Sequence, residues 1–351
     1  MSTLQISLAI IGGLLLAMVV AHGAWSARKN LPRQPEPDPL ASGPTGAPPA
    51  DLQPERQEPG FDQDSSLDAL TALTVPEKKP GLDALIDVIA PVAVDLPVSG
   101  EAALAAMPGS RRAGSKPFAI EGRNALSGSW ETPAPGQRYS AFQAGVQLAN
   151  RTGALNQIEF SEFVMKAQAF ADAMDGQPEF PDMMDAVARA RELDQFASAH
   201  DAQLGFTLRA KNTAWSPGYV QQSAAKLGFV AGSIPGRMVL PAGGAGHAPI
   251  LGLAFDTQAA MAEDPEQTAL RELTLSLDVP QVSRQEQPFV RMCEAAIALA
   301  TSMDGIIIDD QGQAISPEAM EAIHTDLEQL YNTLEERDMP AGSALGRRLF
   351  S

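Results

Sequence analysis

Cysteine is nearly absent from this chain of 351 residues: Cys293 stands alone, so no intrachain disulfide framework exists and a reducing compartment is expected. Aromatics make up only 5%. Basic residues are outnumbered 25 to 43 by acidic ones, a formal charge of −18 that repels a phosphate backbone and argues against a nucleic-acid partner. Catalytic motifs are missing as well. No nucleophile elbow, paired-cysteine motif or triad is visible, and the four histidines, His22, His200, His247 and His324, share no ligand spacing. Gly243, Gly244 and Gly246 join two expected strands instead of leading into a helix N-terminus, which makes them a hairpin turn and not a phosphate cradle. Asp309 and Asp310 precede Gln311 and Gly312 at a strand end, where aspartate commonly starts a turn. The expectation is a protein that is not an enzyme and carries neither cofactor nor metal.

What is present begins with Leu4 to Trp25, an uncharged apolar span long enough at ~1.5 Å per helical residue to cross ~30 Å of hydrocarbon. Arg28, Lys29 and Arg33 follow it, while Met1 to Thr3 carry no cation. The positive-inside rule then predicts a single-pass inner-membrane anchor, N-terminus periplasmic and C-terminal bulk cytoplasmic. A cleaved signal peptide fits less well, because the basic n-region is missing. Ala9, Gly13, Ala17 and Ala21 form a small-residue stripe through which two such helices could self-associate.

Composition divides the remainder into residues 1–27 as anchor, 28–138 as a Pro-rich disordered linker, 139–340 as a folded domain and 341–351 as a basic tail. Prolines 32, 35, 37, 39, 44, 48, 49, 54 and 59 stand among polar residues with little apolar content to offset ordering entropy. A linker of about 110 residues would reach about 60 Å root-mean-square. Two apolar islands interrupt it, Leu67 to Val75 and Leu82 to Val98; in the second, Leu82, Leu85, Ile86 and Ile89 fall at helical spacing.

Beyond Tyr139 the periods are clear. Helices are expected over Ser161–Met174, Asp182–Ala199 and Ser216–Leu227, where Ser216 caps and Pro217 takes the first helical position. Others start at Pro288, burying Phe289, Cys293, Ala296, Ile297 and Ala300, and at Pro317, with Met320, Ile323, Leu327, Leu330 and Leu334 on one face. Strands are expected at Ala141–Ala149, Leu204–Ala210, Arg237–Leu240, Ile250–Phe255, Glu272–Val279 and Gly305–Asp309. In Glu272–Val279, Leu273, Leu275, Leu277 and Val279 point one way and Glu272, Thr274, Ser276 and Asp278 the other. The predicted class is α+β: an antiparallel or mixed sheet with helices packed on one face, leaving the second face for function.

The run Met303-Asp304-Gly305-Ile306-Ile307-Ile308-Asp309-Asp310-Gln311, followed by Ile315-Ser316-Pro317-Glu318 and an amphipathic helix, resembles the end of the C-terminal domain of the ZipA cell-division family. Leu227-Gly228-Phe229 through Gly232, the Gly-rich turn into Leu251 to Ala254, and Leu273 to Pro280 match in order, so the resemblance spans about residues 203–338. It implies an inner-membrane adaptor of the division ring that binds the C-terminal tail of the tubulin-like protein FtsZ along the free sheet face. The positions implied for that groove are Gly205, Thr207, Arg209, Ile234, Met238, Gly252, Ala254, Thr274 and Ser276, with Asp256 at the end of its strand. Gly205, Ser276 and Asp256 stand where the family presents bulky apolar groups, so the groove is expected to be less hydrophobic, with Arg209 offered to an acidic residue of the peptide. The alternatives are a membrane-anchored enzyme, or an envelope structural protein with an exported C-terminal domain.

Overall fold

A computed structural model describes residues 32–35, 81–244, 246–309 and 312–351. The expected membrane span with its small-residue stripe, His22, the apolar segment Leu67 to Val75 and Asp310 lie outside the described residues. Among the described residues no helix is long and apolar enough to cross a membrane.

The chain divides into two units and passes between them after Leu204, Leu277, Pro288 and Met320. Unit A comprises residues 81–204, 278–288 and 321–351; unit B comprises 205–277 and 289–320 together with residues 32–35. A single domain over 139–340 is therefore not what forms, because the stretch expected as linker supplies four of the six strands of a sheet.

Unit A opens with β1 (Asp87–Ser99), α1 (Gly100–Ala105), β2 (Arg112–Ala113), β3 (Lys116–Asn124), β4 (Trp130–Glu131) and β5 (Arg138–Gln147). The short hairpin β6 (Ala149–Asn150) and β7 (Gly153–Ala154) leads into α2 (Gln157–Ala173), β8 (Gln177–Pro178) and α3 (Met183–His200). Its sheet runs β2-β3-β5-β1-β8, with β4 beside β3, all antiparallel. Asn156 starts α2 with a capping box, its side chain accepting from Ile158 and Glu159 N–H while Glu159 reaches back to the cap.

The linker expectation thus fails from Gly81 onward. Ile86, Val88, Ala90 and Val92 are at most 1% exposed, a period of two that runs into the strand Asp87–Ser99, while residues 84–86 form a turn and the helical spacing of Leu82, Leu85, Ile86 and Ile89 forms no helix. Prolines do not prevent it: Pro91 contributes its carbonyl, which accepts from Glu179 N–H, and Pro97 falls in the bulge between Ala93 and Val98 where pairing with β5 lapses. The covered face carries Phe118, Phe142 and Val146, against which α2 sets Phe163 and Phe170, 6.1 Å from Phe118 and 5.2 Å from Phe142 between ring centroids.

Unit B contains β9 (Gln203–Ala210), α4 (Pro217–Ala225), β10 (Val230–Ala231), β11 (Arg237–Leu240), β12 (Leu251–Ala254), α5 (Thr257–Ala260), β13 (Glu272–Asp278), α6 (Pro288–Met303) and β14 (Gly305–Ile308). The order is β10-β11-β12-β13-β9-β14. Both sheets follow one plan: a meander leads back to the first strand, then a helix carries the chain across to a last strand on that first strand's far side. This is the α+β class expected from the alternating strands, with the helical spans close to those predicted. On the covered face of unit B, α6 buries Phe289, Met292, Ala296, Leu299 and Met303; Ile297, expected inside, is 53% exposed, and Cys293 is half-buried. Burial and Glu294 push the Cys293 thiol above its usual range, so it is a packing residue with little thiolate.

The chain ends in α7 (Pro317–Glu336) and α8 (Ala344–Leu349). The terminal residues are not a free basic tail. Leu349 and Phe350 are at most 1% exposed, and Arg348 reaches the buried carboxylate of Asp87 at 2.6 Å. Burial raises the Asp87 pKa, and Arg348 opposes that rise.

Candidate functional site

The candidate face is the uncovered side of the unit B sheet. Leu273, Leu275 and Leu277 of β13 are at most 2% exposed on the helix side, which turns Thr274 and Ser276 outward. Register then orders the open face into rows. Val230 lies opposite Val239, Val239 opposite Gly252 and Gly252 opposite Ser276. In the next row Arg237 faces Ala254 and Ala254 faces Thr274. Thr207, Gly252 and Ala254 are half-buried, while Gly205, Thr274 and Ser276 are exposed.

The floor is therefore low. A Cβ placed on Gly205 would find no atom nearer than Thr274 Cγ2 at 3.9 Å, and one on Gly252 would meet only the Ser276 hydroxyl, at 2.6 Å. One edge of this trough is apolar: Val230 and Ile234 are 50% and 52% exposed, with Val239 beside them. At the other, Arg209 Nε donates to Glu272 Oε1 at 2.6 Å.

Seven of the nine residues expected in the groove, Gly205, Thr207, Arg209, Gly252, Ala254, Thr274 and Ser276, share this open face. Ile234 lies on the loop before β11, at its rim. Met238 is a correction: it is 5% exposed and pairs with Leu253 on the core side, so β11 presents Arg237 and Val239 instead. The slip of one residue arises because Arg237-Met238-Val239-Leu240 lacks a clean polar alternation to fix its faces. Asp256 is a second correction. It lies past β12, and its carboxylate accepts from Gln258 N–H at 2.8 Å as the cap of α5. Arg209 is not the free cation expected, since Glu272 holds it; Arg237 is exposed at the apolar edge and is the better placed charge. Sequence reasoning missed Arg237, Val239 and Val230, although the pairing of an exposed Val230 with a half-buried Val239 across a hairpin is readable once register is known.

The turn readings hold: Asp309 accepts from Gln313 N–H at 2.8 Å, and Gly246 takes φ +80° between β11 and β12. Among the described residues no group of three or more His, Cys, Asp or Glu could hold a metal ion.

The sheet of unit B is thus backed by a helix and presents an open floor of small side chains, an apolar lip and the exposed Arg237, which together make a shallow groove on an α+β domain. Residues 259–326 match the family ZipA, C-terminal FtsZ-binding domain, so the similarity to the ZipA family read from the sequence is shown over that segment. The match runs from α5 through β13, α6 and β14 into α7, and so includes the strand bearing Thr274 and Ser276. Comparison of the chain with curated proteins found no match.

Proposed function

We propose that unit B docks the C-terminal tail of FtsZ across its open face and that Leu4 to Trp25 tethers the complex to the inner membrane, making the protein a non-enzymatic adaptor of the division ring. The observation that carries this reading is that the family match, residues 259–326, lies mostly in the unit whose sheet leaves one face uncovered. The trough over Gly205 and Gly252 admits peptide side chains, Val230, Ile234 and Val239 supply the apolar contact, and Arg237 meets an acidic residue of the tail. Small floor residues keep the gross driving force low: at ~25 cal/mol per Å², each large apolar side chain missing from a groove forgoes about 1.5–3 kcal/mol. Many anchored copies meeting one polymer restore affinity through local concentration. The −18 charge leaves nucleic acid out as a partner.

The test uses the full chain in lipid nanodiscs and a labelled synthetic FtsZ tail followed by fluorescence anisotropy. Saturable binding is expected, weakened at least 10-fold by Ala254→Glu with an unchanged melting curve. Flat anisotropy with the wild-type chain at about 1 mM protein sites rejects the docking. An alkaline phosphatase fusion at the C-terminus is expected to be inactive, and an active one rejects the cytoplasmic placement.

A further inference from the structure

Residues 32–35 are the first described part of the chain, and they are paired to unit B. Arg33 N–H donates to Ala214 O at 2.8 Å and Ser216 N–H donates to Arg33 O at 2.9 Å, which places Arg33 in a parallel bridge with Trp215. Trp215 is bonded on its other side too, exchanging both backbone bonds with Leu270 at 2.8 Å, and its indole N–H donates to Met303 O at 2.7 Å. The short segment Ala214 to Ser216 is thus the middle of a three-stranded ladder whose third strand is borrowed from residues that sequence composition assigns to a disordered linker. The fit extends beyond the backbone. Pro32 is buried, the Arg33 guanidinium lies 3.6 Å from the Asp304 carboxylate, and the missing side chain of Gly218 leaves room for the Pro35 ring, 3.5 Å from where a Cβ would stand.

We propose that the edge Ala214–Ser216 is a docking site for the chain's own segment 32–35, and that this docking holds the tail-binding unit close to the bilayer. The inference rests on the reading of Leu4 to Trp25 as the anchor. Seven residues separate Trp25 from Arg33, and the eight steps between them span at most about 28 Å when fully extended. If the segment is released, the next described point of the chain, Gly81, lies 56 residues beyond Trp25, a contour of up to about 200 Å. Extended proline-flanked backbone suits the role, because its ordering entropy is small before it docks. The strap therefore converts a long tether into a short one while leaving the open face of unit B uncovered.

Arg33→Pro removes the amide that donates to Ala214 and leaves Ala214 to Ser216 and Leu270 unsubstituted. On the full chain in nanodiscs, hydrogen exchange at Ser216 is expected to accelerate at least 10-fold in Arg33→Pro. Exchange at Trp215 and Leu270, which bond each other, is expected to stay unchanged. With a donor dye on Met261→Cys in a Cys293→Ser background, energy transfer to an acceptor in the lipid is expected to fall in the same variant. Equal Ser216 exchange in both proteins overturns the docking, and equal energy transfer overturns the control of distance. Binding of the FtsZ tail to Arg33→Pro is expected to match wild type, so a failure of the tail-docking reading and a failure of the strap are separate results.

Discussion

In unit A the open face of the sheet is occupied by the chain itself, whereas in unit B it is left bare. Leu82 covers Gly145 so closely that a Cβ there would stand 2.4 Å from its Cδ2. Glu121 fixes the arrangement by accepting from Leu82 N–H at 3.1 Å and from Gln143 Nε2 at 2.8 Å. Beside them a cavity of about 410 Å³ remains, bordered by Pro117, Ala119, Trp130 and Arg348. In unit B the corresponding openness at Gly205 has no such tenant. Two sheets with one strand plan thus differ in what their open-face glycines meet: Gly145 receives a side chain of the same chain, and Gly205 faces open space.

The largest effect should come from confusing the two faces of one strand. Leu275→Glu puts a carboxylate where the leucine is fully buried, with no partner, and should cost more than about 4 kcal/mol and unfold unit B. Thermal melting and loss of near-ultraviolet circular dichroism check it; a native-like melt would mean that β13 can turn over. A paired substitution of glycines sharpens the contrast between units. Gly145→Val must expel Leu82 and should destabilise unit A by about 1–3 kcal/mol. Gly205→Val meets open space and should change stability by less than about 0.5 kcal/mol while reducing tail binding. Denaturant midpoints and peptide anisotropy read both, and equal destabilisation by the two would remove the distinction.

The smallest effect concerns a group in unit A alone. Tyr331 is 3% exposed and its hydroxyl has no hydrogen-bond partner among the described residues, with burial pushing its pKa up to about 12. A pKa raised above the ordinary value near 10 means that the folded state holds the proton more tightly, so this contribution is intact below pH 10 and is lost as pH rises through about 12. Tyr331→Phe should flatten that alkaline slope and be neutral to about 1 kcal/mol stabilising at pH 7. Denaturation midpoints across pH 9 to 12 measure it, and an unchanged slope would refute the assignment.

Unit B was largely legible before its structure was known because its strands alternate: Leu204-Phe206-Leu208 and Leu273-Leu275-Leu277 each point one way against small or polar neighbours. Ser216-Pro217 and Ser316-Pro317 likewise marked helix starts that the structure reproduces. Unit A was not legible in its first half. The run Leu82 to Val98 holds helical and strand periods at once, since Leu82, Leu85, Ile86 and Ile89 compete with Ile86, Val88, Ala90 and Val92. Proline density tipped the reading toward linker, yet a bulge and a two-residue neighbour strand accommodate Pro97 and Pro91. Pairing partners such as Gln143 for Pro91, or Glu272 for Arg209, depend on contacts between distant residues that periodicity does not encode.

Because the backbone returns to unit A after Leu277 and again after Met320, neither half of this protein is a continuous stretch of the gene. A fragment cut to begin near residue 203 would keep the C-terminal helix bearing Arg348 while discarding Asp87, its buried counter-ion. Dissection by serial truncation should consequently yield insoluble pieces on either side of most cuts, and point substitution is the way to silence one unit while sparing its neighbour.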